Sequence, residues 1–259
     1  VSKNKRNYKV LAIILLLAVL HGVFHLASLG YTEAWLSRSA LFASIDMLII
    51  LMALIGGRVI PAFTRNAIPS ATSRHEPWVE VITFASMILI VVAGVLRGSW
   101  AAPPMLMALL LAVAAAAHAI RLALWDPVKT IHNPLLWMMP VAYSWIPLAF
   151  FLRALAAMNI VAAGAWIHAM TMGAVSALML AMMMRSSLGH TGRQLIASRT
   201  DMAAFLLLQT AAIVRVLASI VAGETYQQWV VASGLIWALA FLVFVLRYLP
   251  LPSRPKTHA

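Results

Sequence analysis

Residues 166–193 read WIHAMTMGAVSALMLAMMMRSSLGHTGR, and this stretch decides the class of fold. It runs without Lys, Arg, Asp or Glu until Arg185, where a short polar segment begins. A helix rises about 1.5 Å per residue, so roughly 20 apolar residues cross the hydrocarbon core of a bilayer. The stretch therefore predicts a transmembrane helix with a polar tail on one side of the membrane.

The composition of the whole chain supports the same conclusion. Of its 259 residues, 63% are hydrophobic and only 10% are charged, whereas a soluble domain is about 45–50% apolar and about 25% charged. The net charge of +12 could suggest nucleic acid, but the basic residues are scattered singly between apolar runs, so we expect no such partner. The absence of cysteine excludes disulfides and thiolate ligands.

Eight apolar runs are long enough to span a membrane. They cover residues 9–30, 39–55, 77–96, 104–124, 134–156, 160–184, 201–222 and 228–248. The first follows a basic N-terminus without a small-residue cleavage site, so we interpret it as a retained span. Because the runs lack the alternation of barrel strands, they should be helices. The sequence predicts an all-α, polytopic transmembrane bundle that forms a single domain over residues 1–259.

The basic residues indicate the orientation of these spans. Fifteen of the 19 Lys and Arg residues fall at the two termini or in the second, fourth and sixth loops. Three lie on the opposite side, namely Arg38, Arg97 and Arg153, and Arg215 lies within the seventh span. Cytoplasmic loops carry an excess of Lys and Arg. We therefore expect eight spans with both termini in the cytoplasm.

Ionisable side chains inside the spans are the candidates for function, since each is costly in a membrane. His21 and His25 occur at i and i+4 in HGVFH, on one face of the first helix. Counting helical rise places His25, Asp46, His168 and Arg215 at one depth in the outer half of the membrane. Four different helices thus contribute ionisable groups to one level.

Two interpretations of this level remain open. Neutral imidazole is a common ligand for haem iron and copper, so His25 and His168 would suit a haem within the bundle. Asp46 could then orient His25, and Arg215 could hold a haem propionate. Alternatively, each histidine bonds a carbonyl on a neighbouring helix, and Asp46 pairs with Arg215 to neutralise both charges.

Methionines raise the same choice between a metal site and packing. Helical spacing predicts one shared face for His168, Met172, Ser176, Met179 and Met183. Thioether and imidazole together suit Cu(I), so His168 with Met172 is a candidate copper site. Methionine also fills gaps in apolar cores, and packing is the simpler interpretation. The pair His21 and His25 could bind a metal as well.

Basic and aromatic residues near the span ends have interfacial interpretations. The arginines around the cytoplasmic glycines are Arg58, Arg65, Arg121, Arg185 and Arg193. They would contact lipid headgroups or, alternatively, form an anion site. Trp125 and Trp166 lie near predicted span ends, as membrane-interface anchors do.

Several motifs resemble the NnrS family of bacterial membrane proteins. They are IGGRVIPAFTRNAIP (residues 55–69), RLALWDP (121–127), NPLLWMMPVAYSW (133–145), the stretch from His168 to Arg193, and the closing region from Trp237 to Pro250. They cover nearly the whole chain, and GGRVIPxFTRN and RxSLGHTGR are specific patterns. The chain resembles the C-terminal two-thirds of this family, so helices at the N-terminus of relatives have no counterpart here.

The resemblance implies a protein of the bacterial inner membrane that contains haem b, with copper as a second cofactor. It implies binding or handling of nitric oxide in nitrosative stress or denitrification, with no firm enzymatic reaction. Membrane lipids and a partner membrane protein, or the missing helices, would be its neighbours. Two alternatives remain: a non-haem transporter or channel that uses Arg215, Asp46 and Glu80, and a cofactor-free accessory protein for a nitric oxide reductase.

Overall fold

The computed structural model of the chain describes residues 8–96, 102–221, 223–251 and 253, and these residues form helices and connecting turns without strands. Arg97, counted above, lies outside the described residues. The long helices are α1 (Tyr8–Ser28), α2 (Trp35–Ala67), α3 (Pro77–Val95), α4 (Pro104–Ala123), α5 (Pro134–Ala157), α6 (Ala163–His190), α7 (Arg199–Val221) and α8 (Tyr226–Tyr248). All eight of these described helices are long and apolar enough to cross a membrane, which confirms the predicted polytopic bundle.

The connections between these helices define two ends of the bundle. We call the end with the α2–α3, α4–α5 and α6–α7 connections the basic face. The end with the α1–α2, α3–α4, α5–α6 and α7–α8 connections is the opposite face. Since successive spans cross in opposite directions, eight spans bring both ends of the described chain to the basic face. Its placement in the cytoplasm stays a prediction from the charge count.

Helix α5 lies at the centre of the bundle, and α1 lies at its edge. Helix α5 packs against α2, α4 and α6, and residues such as Tyr143, Ile146 and Phe150 on it are fully buried. Helix α1 packs against α2, and Ala27 is its buried residue among those described. Polar groups on α1 therefore lie at the edge of the bundle, whereas polar groups on the central helices lie among buried residues.

Helix α2 is longer than the predicted span of residues 39–55. It continues through the GGRVIPAFTRN motif to Ala67, so this motif is helical and was wrongly predicted as a loop. The physical reason is packing: Ile60 and Thr64 are buried, and the Thr64 hydroxyl donates to the Ile60 carbonyl at 3.0 Å. Pro61 lies inside the helix, where tertiary contacts outweigh its cost.

Helix α6 changes its winding directly after His168. Residues Ala169–Ser176 form a π-helix, and the Ser176 hydroxyl donates to the Thr171 carbonyl at 3.0 Å, five residues earlier. The ring of Trp145 packs directly on Gly173 within this segment. Segments of π-helix are rare and frequently occur at functional sites.

The SSLGHTGR segment forms the end of α6. Gly192 has φ +68°, and the Arg193 N–H donates to the Leu188 carbonyl at 3.0 Å while the Gly192 N–H donates to the Gly189 carbonyl at 3.2 Å. This is the Schellman arrangement, which needs a left-handed residue after the helix. The motif therefore ends the helix, and His190 is exposed on its last turn.

An aspartate joins two connections on the basic face. The Thr72 N–H donates to the Asp126 carboxylate at 3.1 Å, and the Lys129 ammonium lies 3.3 Å from the same oxygen. The Thr72 N–H first, and then Lys129, lower the pKa of Asp126 from its ordinary value of 3.8. Charged Asp126 therefore holds the α2–α3 connection against the α4–α5 connection.

Acidification is expected to release this contact. A carboxyl whose pKa is lowered on folding contributes stability above its unfolded value, and loses that contribution as pH falls through its folded pKa. Protease susceptibility of the α2–α3 connection should therefore rise below pH 3.8. An Asp126→Asn variant should be susceptible at all pH values, whereas Glu33→Gln, on an exposed loop of the opposite face, should keep the wild-type profile. An unchanged profile in Asp126→Asn would contradict the assignment.

Candidate functional site

His168 and Arg215 lie near each other where α6 packs against α7. His168 is half-buried at the start of the π-helix, and no hydrogen bond joins the two side chains among the described residues. The two helices approach closely here, because a methyl group at Gly164 would lie 2.8 Å from the Ser219 hydroxyl and 4.0 Å from the His168 ring. The small residue at position 164 thus lets this histidine lie against α7.

Arg215 contributes an unsatisfied donor at this position. Its Nε atom is buried without a hydrogen-bond partner among the described residues. The guanidinium reaches toward α8, where a methyl group at Gly234 would lie 3.8 Å from Arg215 Nη2. Leaving a buried charged donor unpaired is costly. An anionic group beside His168 would satisfy it.

The other two residues of the predicted level lie elsewhere. His25 is exposed on α1, and its Nε2 lies 3.1 Å from Nε2 of His21. Within the described residues no hydrogen bond or ring contact joins His25 to His168 or Asp46. Equal depth did not bring His25 to the other helices, because α1 packs along α2 at the edge of the bundle.

Asp46 pairs with Arg153, so the predicted Asp46–Arg215 pair is wrong. Both guanidinium Nη atoms of Arg153 donate to the two carboxylate oxygens of Asp46. The guanidinium also lies 4.3 Å from the ring of Trp166. Arg153 lies within α5, as the predicted span of residues 134–156 has it, whereas Trp166, predicted as an interface anchor, is buried.

The described residues offer no cluster of ligands for the predicted metal sites. Among the described residues, no group of three or more His, Cys, Asp or Glu side chains is placed to hold a metal ion. Met172 packs as a partly buried residue against the core, whereas Met179 is exposed. The predicted single face of methionines stays a prediction. Copper at His168 with Met172, or metal at His21 with His25, stays a prediction.

The sequence reasoning missed a polar network in the half of the bundle near the basic face. Arg121, expected in a loop, is buried in the last turn of α4. Its Nε and Nη2 donate to the two oxygens of Glu80 at 2.6 and 2.7 Å. Its Nη1 donates to the Ala53 carbonyl at 2.8 Å and to the Tyr143 hydroxyl at 2.9 Å. Four helices, α2 to α5, therefore meet on one guanidinium.

The direction of hydrogen bonding in this network follows from Arg121, which can only donate. Since the Tyr143 oxygen accepts from Arg121, its own proton points to His118 Nδ1, 2.8 Å away. His118 then carries its proton on Nε2, which lies 3.3 Å from the sulfur of Met87. His118 is fully buried and stacks on Phe150. The polar atoms of this network form hydrogen bonds with one another, so its role is to hold the four helices together.

The glycine motif of α2 makes room for the same guanidinium. A methyl group at Gly57 would lie 2.1 Å from Arg121 Nη2, and one at Gly56 would lie 3.4 Å from the Tyr143 ring. The paired glycines are thus the sequence signal that could have located the network. Trp125, expected as an interface anchor, is buried against Tyr143 with 4.6 Å between ring centroids.

The remaining ionisable groups do not share one site. Arg185 lies over the Phe63 ring at 4.0 Å, and Arg121 is paired with Glu80, so Arg121 is not free for the anion site considered at the basic face. Glu80 and Asp46 each belong to a separate ion pair, and Arg215 belongs to neither. These contacts therefore do not connect Arg215, Asp46 and Glu80 into the path that the transporter alternative would use.

Comparison with known proteins identifies the family. No curated protein and no solved structure matches the chain. The family model described as NnrS protein matches residues 1–256. This range includes the paired glycines of α2 that pack against Arg121, the π-helix after His168 and the Schellman end of α6. The chain is a multi-pass membrane protein that belongs to the NnrS family.

Proposed function

We propose that this protein binds a haem b at His168 in the cytoplasmic membrane of a bacterium and handles nitric oxide on it. Membership of the NnrS family supports a role in the nitric oxide response. The observation that carries the cofactor assignment is the pair of His168 and Arg215. A half-buried imidazole lies near a half-buried arginine whose Nε atom is buried and has no hydrogen-bond partner among the described residues.

The residues at this position fit a haem in two respects. Imidazole is a common axial ligand of haem iron, and a guanidinium forms strong charge-assisted bonds with carboxylates such as propionates. His168 would hold the iron, and Arg215 would hold a propionate. Bound haem would supply an iron atom that takes a small gas molecule.

The surrounding helices would give His168 a fixed position. The π-helix begins at the next residue, and its Gly173 packs against Trp145. Trp145 in turn donates to the Gln209 side chain of α7 at 2.7 Å. The backbone that carries His168 is therefore tied to both α5 and α7. Such support of a ligand by its neighbours is what a cofactor site requires.

The haem content of the purified protein tests the proposal. Wild type from haem-replete cells should show a Soret band and a pyridine haemochrome, and His168→Ala should lose most of both. His190→Ala is the matched control, because His190 lies on the same helix but is exposed at the basic face. Arg215→Gln should keep the axial ligand yet bind haem less tightly. A folded wild type without haem, or a His168→Ala variant with full haem, would refute the proposal.

The same preparation tests the remaining ligand predictions. If α1 supplies a second axial ligand, His25→Ala should shift the Soret band or lower the haem content, as His168→Ala does. Copper analysis of wild type and Met172→Leu would test the copper prediction. Nitric oxide added to the reduced protein should shift the Soret band of wild type, and a spectrum that does not respond would remove gas binding from the proposed function.

A further inference from the structure

A large cavity lies at the opposite face, apart from the His168 position. It has a volume of about 1000 Å³ and lies between the ends of α2, α3, α4, α5 and α6. This volume is at the upper end of the range of about 300–1,000 Å³ for small-molecule sites. No histidine belongs to its described lining, so the cavity offers no imidazole to a metal or a haem iron.

One row of α2 supplies the polar part of the cavity. Arg38, Phe42 and Asp46 follow each other at i, i+4 and i+8, so they share one helix face and all three line the cavity. Asp46 lies deepest along this row and is paired with Arg153 from α5. The opposite wall is apolar and includes Ile90 and Leu111.

The charges in the cavity do not cancel. Its described charged residues are Arg38, Asp46 and Arg153, which sum to one positive charge. Asp46 neutralises Arg153, whose guanidinium is also held over Trp166. Arg38 is exposed and has no hydrogen bond or ion pair among the described residues. One guanidinium at the mouth of an apolar cavity is therefore available to a ligand.

We propose that this cavity binds an amphipathic anion, with the anionic group on Arg38 and the apolar body against the α3 and α4 wall. A guanidinium with its donors free suits a carboxylate or a phosphate. The apolar wall favours an alkyl chain, since burial of each CH₂ group is favourable. The Asp46–Arg153 pair closes the deep end with no net charge, so a second anionic group has no partner there.

Two variants separate the charge from the cavity itself. Arg38→Gln removes the positive charge and keeps the space. Gly94→Leu fills the space and keeps the charge, because Gly94 lines the cavity and a methyl group built on it meets nothing within 4 Å. Arg65→Gln is the matched control, since Arg65 is an exposed arginine at the other end of α2. None of these residues contacts His168 or Arg215, so the haem content should not change.

Binding of dodecanoate to protein in phosphatidylcholine nanodiscs tests the proposal. Wild type and Arg65→Gln should bind dodecanoate saturably and more tightly than uncharged dodecanol. Arg38→Gln should weaken dodecanoate about tenfold or more and leave dodecanol unchanged, and Gly94→Leu should weaken both. If dodecanoate binds Arg38→Gln as tightly as wild type, or if Gly94→Leu binds normally, the proposal is overturned.

Native mass spectrometry with phosphatidylglycerol identifies the source of the anion. Retention of phosphatidylglycerol over phosphatidylcholine, lost in Arg38→Gln and Gly94→Leu, would support a lipid headgroup as the occupant. Dodecanoate binding with the same dependence, but without lipid selectivity, would support a free organic acid. If neither ligand shows this dependence on the two variants, the cavity is not an anion site.

Discussion

Replacement of Glu80 by alanine is expected to lower the free energy of unfolding by about 3–5 kcal/mol. The Glu80 carboxylate accepts from two nitrogens of Arg121, and Arg121 is buried. Removal of the carboxylate leaves this charge buried between the helices with only the Ala53 carbonyl and the Tyr143 hydroxyl as acceptors. An uncompensated buried charge costs more than the intact pair contributes.

Reversible unfolding in mixed micelles, followed by circular dichroism, measures this loss. Glu76→Ala is the matched control, because Glu76 precedes the same helix and its side chain makes no capping hydrogen bond. Adding Arg121→Met to Glu80→Ala should restore much of the stability, since the double variant removes both charges. A Glu80→Ala protein as stable as Glu76→Ala would show that the guanidinium does not depend on its carboxylate.

Replacement of Gly173 by alanine is expected to cost about 1–3 kcal/mol and to disturb the winding of α6. The added methyl group would lie 2.4 to 2.6 Å from three ring atoms of Trp145. The ring cannot retreat easily, because its N–H donates to Gln209 and its side chain is buried. Either α6 moves away from α5 or the indole breaks its bond to α7.

Gly189→Ala provides the comparison, since it lies on the same helix and an added methyl group would meet only Leu195 at 3.9 Å. That variant should unfold like wild type in the same micelle assay. If His168 depends on the π-helix for its position, Gly173→Ala should also lower haem content, whereas Gly189→Ala should not. Equal stability of the two variants would mean that the Trp145 contact adapts without cost.

Depth along the helices was informative only where the helices are neighbours. The sequence placed His25, Asp46, His168 and Arg215 at one level, and the structure brings His168 to Arg215 because α6 packs on α7. Asp46 lies beside α5, which supplies Arg153 as a partner. His25 lies on an edge helix and has His21 as its neighbour. The depth of a residue gives its position along the membrane normal. Its position in the plane of the membrane depends on which helices pack against each other.

The sequence by itself determined the class of fold and the number of spans. Continuous apolar runs of about 20 residues without the alternation of barrel strands cross a bilayer as helices, because a helix pairs its backbone polar groups internally. Only the tertiary structure decided which charges pair. Arg121 and Arg153 lie near the ends of their predicted spans, and Glu80 and Asp46 on neighbouring helices compensate their charges inside the bundle. Likewise, Trp145 of α5 packs on Gly173 within the π-helix after His168, and a contact between two helices cannot be read from local spacing.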